Sequence, residues 1–392
     1  MKEPRYAWVV VWAAFLNLAV IFGVAYSFAA FFESFASAFN AQRADVSLIF
    51  GLSGLIYFVL GAGAGMLADR YGPRAVCCAG MLCIAAALFA TSYANSMMVV
   101  YLCYGVGVGI GIALVYTPAI ACVQPWFSAR RGLAAGIASA GIGAGTVALP
   151  LITAAAIAAF EWRDALRVIA LGVLLVGIGA AWLLRRAPAA AGAAGKPSGA
   201  SVGEALRDRR FWWLYLGAVL ASPAMFIPFA HISAAARDLG IDESRAVGLV
   251  GLIGIGSLIG RFAIGTLADR IGRTLTLILM QVSLGLSYLV WSGAGGFTAL
   301  ALYALWFGIS YGGIVALMPA LCMDFFGARA VAGIIGTLYT GAAVGNLLGP
   351  VVAGAVFDRG GSYLPVVWGC IVLSALATLA SVKLLQAPRP VY

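Results

Sequence analysis

The sequence is poor in charged residues. Only 10% of its 392 residues are Asp, Glu, Lys or Arg, whereas 63% are hydrophobic, and histidine occurs once. A soluble globular chain of this length and composition would have a surface nearly bare of charge, so the composition indicates an integral membrane protein. The formal net charge of +10 is spread over several short polar segments, which argues against a nucleic-acid partner.

Metal-ligating and catalytic patterns are missing as well. The seven cysteines all fall in apolar segments without metal-ligand spacing, so we interpret them as small packing residues. The glycine-rich run 105–111 follows no predicted strand, which excludes a dinucleotide loop and favours close helix packing. No nucleophile, base and orienting group converge, so we predict that the protein is not an enzyme and binds no cofactor or metal.

Apolar runs of about 20 residues, long enough to span a bilayer, recur along the whole chain. The first run follows basic residues, as in a signal peptide, but its length and the lack of a cleavage site predict a retained helix. The runs predict an all-α integral membrane protein with twelve transmembrane helices. These predicted helices, 1 to 12 in order, span residues 8–32, 46–67, 75–93, 97–124, 132–158, 165–184, 211–235, 245–268, 274–293, 297–323, 331–357 and 363–385.

The basic residues between the runs predict the orientation of the chain. With the N-terminus in the cytoplasm, the cytoplasmic segments hold 17 Lys and Arg residues and the outside segments hold 6, which leaves Arg261 in the membrane. Because basic residues favour the cytoplasmic side, both termini are predicted to be cytoplasmic. The expected location is a plasma membrane or a cytoplasmic (inner) membrane.

One long polar segment, 186–210, interrupts the apolar runs and is rich in Ala, Gly, Pro and Ser. It is interpreted as a cytoplasmic linker between an N-terminal bundle, 1–185, and a C-terminal bundle, 211–392. Ser201 and Glu204 have the spacing of a capping box, so a short helix is expected to precede predicted helix 7.

The two bundles share an internal repeat with an offset of about 200 residues. Asp69 and Arg70 match Asp269 and Arg270, each pair in a Leu-Ala-Asp-Arg turn. Because an even number of predicted helices separates the copies, both lie the same way up. The repeat therefore predicts two pseudo-symmetric six-helix bundles.

The first turn, G-x-L-A-D-R-x-G-x-R at 65–74, resembles the signature motif of the major facilitator superfamily, and the second copy strengthens the likeness. The resemblance implies the major facilitator fold, in which two bundles rock about a central cavity. An aspartate at a helix end with nearby arginines can form a charge-assisted latch, although such charges also simply terminate helices. The residues assigned to gating are Asp69, Arg70, Arg74, Arg130, Asp269, Arg270 and Arg273.

Four stretches, 25–47, 125–136, 228–241 and 260–273, resemble the monocarboxylate transporters and the related oxalate:formate antiporters. The departures from those families concern charge. Animal monocarboxylate transporters tend to have a lysine at the position of Tyr26 and an aspartate at the position of Ser257. In oxalate:formate antiporters a second cation follows a motif in predicted helix 11, and in this chain the corresponding stretch ends at Ala342 without a cation. One buried cation suits a monoanion, because a second carboxylate would be desolvated without a partner.

Arg261 lies eight residues before Asp269, about 12 Å along the helix and near mid-depth of a core about 30 Å thick. Its planar fork of donors suits a carboxylate, so a substrate anchor is predicted, with a structural arginine as the alternative. His231 is predicted at the cavity rim, either as a proton carrier or as a merely hydrogen-bonded histidine. Further candidates for substrate contact, each with helix packing as its alternative, are Asn17, Tyr26, Tyr116, Ser257 and Tyr311.

We therefore expect a secondary active transporter for small monocarboxylates such as lactate or pyruvate, with proton symport by alternating access. Arg261 and His231 are the candidates for proton coupling, and protons are the coupling ion. The expected partners are the substrate anion, protons and the lipid bilayer, with no nucleic acid and no obligate protein partner. Carboxylate exchange of the oxalate:formate type is the alternative, and a sensor without flux would be expected to carry a sizeable soluble domain.

Overall fold

The computed structural model describes residues 5–127, 131–187, 199–327 and 329–386. Within these ranges the regular elements are helices joined by short turns. The long helices are α1 (Arg5–Phe39), α2 (Arg43–Tyr71), α3 (Pro73–Thr91), α4 (Met97–Ala121), α5 (131–160), α6 (162–182), α7 (Arg209–Asp238), α8 (Glu243–Ile271), α9 (Arg273–Ser292), α10 (Phe297–Phe326), α11 (Val331–Gly360) and α12 (Leu364–Val382).

The boundary between α5 and α6 is a single non-helical residue, Glu161, with φ 66° and ψ 162°. The candidate membrane segment Ala134–Trp182 has 49 residues. At 1.5 Å per residue it is about 74 Å long, more than twice a hydrocarbon core of about 30 Å. It therefore crosses the membrane twice, and the 11 candidate helices of the described chain provide twelve spans. The predicted all-α membrane fold is confirmed.

The repeated turns both depend on a glycine. Gly72, between α2 and α3, and Gly272, between α8 and α9, have positive φ values of 94° and 91°, which only glycine adopts without steric cost. We call the end of the bundle that carries these turns the ADR face, after Ala-Asp-Arg at 68–70 and 268–270. The opposite end, which carries the start of α2, is called the Arg43 face.

The N-terminal and C-terminal halves of the chain meet along two helix pairs, α2 with α11 and α5 with α8. Glycine permits the close approach in both. A Cβ atom built on Gly54 would lie 1.5 Å from Nδ2 of Asn346, and one built on Gly143 would lie 2.4 Å from Cγ of Leu258. Because small residues let membrane helices approach, these glycines determine where the halves touch.

From Ala200 onward, the polar segment between the halves contacts the C-terminal half. The backbone N–H of Ala200 donates to the carbonyl of Phe326 at 2.7 Å. Ser201 and Glu204 form the predicted capping box at the start of the short helix Val202–Arg207, so that prediction is confirmed. Hydrogen bonds from the backbone and side chain of Ser201 lower the pKa of the Glu204 carboxyl.

Candidate functional site

A cavity of about 70 Å³ lies between the two halves. Its walls come from α1, α2, α4 and α5 on one side and from α7 to α11 on the other, and they are mostly apolar or aromatic. Apolar walls with a few converging polar groups are typical of a small-molecule site. The polar side chains among the described lining residues are those of Tyr57, Tyr116, Ser222, Arg261, Gln281, Tyr311 and Tyr339.

Arg261 is the charged residue of this lining, as far as the chain is described. Its Nε atom lies 3.4 Å from Oγ of Ser257, one turn earlier on α8, which is a weak contact. Among the described residues it has no carboxylate partner. The guanidinium therefore keeps most of its donors available to a ligand in the cavity.

Two of the predicted tyrosines share the cavity with Arg261. Tyr116 and Tyr311 both line it, and the ring of Tyr116 packs edge-on against Phe22 at 5.2 Å between centroids. Tyr26 does not line the cavity, but its hydroxyl lies 3.0 Å from that of Tyr311, which does. The Tyr26 ring stacks on Phe229 at 4.1 Å, so these two rings form an aromatic layer across the halves.

Asn17 lies outside the cavity. Its side chain is fully buried, and its Nδ2 atom donates to the carbonyl of Ala13 on the same helix at 2.7 Å. Around this position α1 packs against glycines of α5, and a Cβ atom built on Gly141 would lie 2.1 Å from the carbonyl oxygen of Phe15. Asn17 is therefore hydrogen-bonded within its own helix and does not line the cavity.

His231 also differs from its predicted position. It does not rim the cavity but lies fully buried between the halves, on the side of the Arg43 face. Its Nδ1 atom is 2.9 Å from the hydroxyl of Tyr363, and its Nε2 atom is 2.8 Å from the carbonyl of Pro350 and 3.0 Å from Oγ of Ser47. Helix rise indicates its depth but not the direction in which α7 turns its side chain, so sequence reasoning could not find these partners.

The hydrogen bonds around His231 define one consistent direction of donation. Arg43 donates to the hydroxyl of Tyr363 at 2.8 Å, which leaves the Tyr363 hydrogen for Nδ1 of His231. Nε2–H then donates to the carbonyl of Pro350. This arrangement corresponds to a neutral imidazole that carries its proton on Nε2.

Arg43 is the centre of a cross-half cluster that we call the Arg43 seal, formed with Asp238, Phe357, Asp358 and Tyr363. Its guanidinium makes two hydrogen bonds to Asp238, at 2.8 and 2.6 Å, and lies 3.8 Å from the ring centroid of Phe357. Its backbone N–H donates to Asp358 at 3.1 Å. These bonds connect the start of α2 with the ends of α7 and α11 and so join the two halves at this face.

The described contacts of two charged residues at the ADR face lie within one half. Arg74 lies 5.0 Å from the ring of Trp182, and Arg273 forms an ion pair with Asp324. Arg70 and Arg270 are exposed. The predicted gating residue Arg130 and the side chains of Asp69 and Asp269 lie outside the described residues, so the gating role remains a prediction.

A second cavity, of about 530 Å³, lies at the ADR face. Its described walls come from the ends of α2 and α4, from Arg186 and from Gly333 at the start of α11. Arg186 donates to the carbonyl of Ala68 at 2.9 Å and so covers the end of α2. The halves are therefore joined at the Arg43 face, and the described walls of the cavity at the ADR face reach the C-terminal half at Gly333.

Sequence reasoning missed three groups of residues. Gln281 on α9 lines the cavity, and its only signal was an amide in the middle of an apolar run. Tyr57 and Tyr339 also line it but resemble ordinary packing aromatics in the sequence. The partners of Arg43 are distant in sequence, so no local pattern could have revealed the seal.

Two pseudo-symmetric sets of six helices, closed together at one face around a cavity with few polar groups, define the class of alternating-access membrane transporters. The model of the Major Facilitator Superfamily matches residues 13–337 and 224–392, and the chain belongs to this superfamily. The protein is therefore a multi-pass membrane transporter. Because the members of the family are transporters, the prediction that it is not an enzyme is confirmed.

The similar proteins include named monocarboxylate transporters. Monocarboxylate transporter 13 of Bos taurus is 31% identical over 382 residues, which cover 96% of this chain and 89% of the relative. Monocarboxylate transporter 2 of Homo sapiens is 25% identical over 413 residues, which cover 98% and 85%. The predicted resemblance to these transporters is confirmed.

A solved structure shares the fold over the whole chain. It is a bacterial homologue of the human lysosomal transporter Spinster in an inward-facing, unoccupied conformation. The TM-score is 0.76 with 17% sequence identity, and the match covers 100% of both chains. At this identity the likeness concerns the fold alone.

Proposed function

We propose that this transporter carries a small monocarboxylate of the lactate or pyruvate kind together with a proton. Arg261 is the observation that carries the proposal. It is the charged lining residue of the described cavity and has no described carboxylate partner. An unpaired cation in such a place is costly, and a substrate carboxylate would compensate it with bidentate, charge-assisted hydrogen bonds.

The size and walls of the cavity support a small substrate. At about 10–15 Å³ per water-sized position, a cavity of about 70 Å³ has room for on the order of five or six heavy atoms. Lactate and pyruvate have about that size. Tyr116 and Tyr311 offer hydroxyl donors beside Arg261, while their rings suit a short aliphatic tail.

Electroneutrality supports proton coupling. One carboxylate neutralises Arg261, so a monoanion can be enclosed without leaving a second charge unpaired. The proton is carried by His231 or by the substrate carboxyl itself. His231 lies away from the cavity in a network that suits a neutral imidazole, whereas a protonated substrate carboxyl would no longer neutralise Arg261, so both carriers are tested.

In the predicted orientation the ADR face is cytoplasmic. The Arg43 seal would then close the outside, and the cavity beside Arg186 and Gly333 would be the cytoplasmic vestibule. Alternating access would open the seal and close this vestibule around the loaded substrate site. The expected location is a plasma membrane or a cytoplasmic (inner) membrane.

Uptake of labelled lactate into proteoliposomes tests the proposal. With an imposed proton gradient, we expect the wild-type protein to accumulate lactate and Arg261→Gln to lose about 100-fold or more of the initial rate, since a buried charge-assisted pair is removed. Arg261→Lys should recover only part of the rate, because a lysine lacks the planar fork. Full uptake by Arg261→Gln would exclude the anchor.

The matched control is Arg245→Gln. Arg245 lies on the same helix but at its exposed start, where it pairs with Asp242 three residues earlier, so its loss should leave uptake unchanged. Vesicles loaded with unlabelled lactate and held without a gradient test the alternative. Uptake that requires internal carboxylate and ignores the proton gradient would indicate exchange of the oxalate:formate type.

A further inference from the structure

Gln281 is a buried amide without a partner. Its side chain is 1% exposed, and neither Nε2 nor Oε1 has a hydrogen-bond partner in the described chain. Buried polar groups are almost always hydrogen-bonded, so each exception needs an explanation. Gln281 also lines the central cavity, and its amide is therefore available to a molecule held there.

Small residues of α7 lie beside the amide. Gly217, Ala218 and Ala221 line the same cavity. A Cβ atom built on Gly217 would lie 3.6 Å from Nε2 of Gln281 and 3.2 Å from Oγ of Ser381. A larger side chain at position 217 would thus occupy the space beside the amide, and the glycine keeps that space open.

Gln281 and Arg261 lie at similar depth. They belong to the consecutive antiparallel helices α8 and α9, which are joined at Gly272. Arg261 lies 11 residues before that turn and Gln281 lies 9 residues after it, which corresponds to about 17 and about 14 Å along the two helices. The cavity therefore has a cationic group and a neutral amide in one layer of the bundle.

The chemistry of the two groups restricts the ligand. The walls include apolar side chains of α10, among them Ile314, Val315 and Met318. An amide offers two donors and an acceptor, and it complements a hydroxyl or a carbonyl group. A second carboxylate would lack a cation at this end, because Arg261 is the charged lining residue of the described chain.

We propose that Gln281 is a specificity-determining residue that hydrogen-bonds a second, uncharged oxygen of the transported monocarboxylate. The substrate class is then hydroxy or keto acids, in preference to plain alkanoates of the same length. This inference rests on the proposed function, since it takes Arg261 as the anchor of the carboxylate.

Ligand-induced thermal shifts of the purified protein test the inference. Butyrate is compared with 2-, 3- and 4-hydroxybutyrate, which differ from it by one hydroxyl. At least one hydroxybutyrate should bind the wild-type protein about 10-fold or more tightly than butyrate, since an analogue without the hydroxyl leaves the amide unpaired. In Gln281→Leu this ratio should fall to about 1, with butyrate affinity retained.

Two further variants separate recognition from structure. Gly217→Val should remove the preference while the amide stays in place, because the new side chain covers it. Ser374→Ala is the matched control, since Ser374 on α12 is also buried with an unpartnered hydroxyl but does not line the cavity. It should keep the wild-type ratio.

The outcomes are distinguishable. A Gln281→Leu protein that keeps the preference for a hydroxy acid would overturn the inference, as would a wild-type protein that binds all four acids equally. In the second case, dependence of butyrate binding on Arg261 would leave the monocarboxylate proposal intact. If wild-type protein binds none of the acids, both proposals fail together.

Discussion

The Arg43 seal and the central cavity each contain an arginine, and the two have opposite surroundings. Arg43 makes a bidentate pair of hydrogen bonds to Asp238, donates to the hydroxyl of Tyr363 and lies against the ring of Phe357. Within the described residues Arg261 has one weak hydrogen bond, with Ser257. Arg43 is therefore paired by the protein and joins its halves, whereas Arg261 has no carboxylate partner in the part of the chain that the structure describes.

The same difference extends to the neighbouring polar residues. Both ring nitrogens of His231, beside the seal, are hydrogen-bonded. Neither amide atom of Gln281, beside the cavity, has a hydrogen-bond partner among the described residues. Buried polar groups that are fully paired rigidify a structure, and those that are not are costly unless something binds them. The protein thus contains a region where Arg43 and His231 are paired by other protein groups and a region where Arg261 and Gln281 lack such pairing among the described residues.

Removal of Arg43 should have the largest effect on stability. Arg43→Ala is expected to lower the free energy of unfolding by about 2–4 kcal/mol, because Asp238 is left without its partner and the Phe357 stack is lost. Titration with denaturing detergent measures it. A double-mutant cycle with Asp238→Asn should show a coupling of about 1–3 kcal/mol, and additive effects would contradict the seal.

Loss of His231 should be the next largest effect. His231→Gln is expected to cost about 1–3 kcal/mol, because Tyr363 and the Pro350 carbonyl lose a well-placed partner. If the substrate carboxyl carries the proton, lactate uptake by this variant should still follow an imposed proton gradient. Uptake that no longer responds to the gradient in a folded variant would assign the proton to His231 instead.

Replacement of Arg261 should change stability little, or raise it. In Arg261→Leu the free energy of unfolding is expected to rise by about 0–1 kcal/mol, because a partly buried charge without a described carboxylate partner is replaced by an apolar side chain. The same detergent titration compares it with Arg43→Ala. A loss above about 2 kcal/mol would identify Arg261 as a structural arginine, the alternative that its sequence context allows.

The ion pair at the ADR face should contribute least. Arg273 and Asp324 are 35% and 44% exposed and belong to the same half. Arg273→Gln is expected to cost under about 1 kcal/mol in the detergent titration, because exposed pairs are screened by solvent. An effect as large as that of Arg43→Ala would remove the contrast between the two faces.

Much of the fold could be predicted from local patterns, and part of the site could not. Arg261, Tyr116 and His231 were assigned a depth from helix rise; Arg261 and Tyr116 share the cavity, and His231 lies elsewhere. Tyr311 and Asn17 were selected as polar or aromatic residues on the helices expected to line the cavity; Tyr311 lines it and Asn17 does not. Depth follows from the rise of a helix, but the direction of a side chain depends on the rotation of that helix, which packing determines.

The sequence by itself determined which segments are long and apolar enough to span the membrane and which of these helices carries an arginine. These properties follow from local hydropathy and from the cost of placing polar groups in a bilayer. Only the tertiary structure decided that Arg43 has a carboxylate partner, that Arg261 has none among the described residues, and that Gln281 lines the cavity. The partners of a buried polar group come from other helices, and their identity depends on how glycine contacts align those helices.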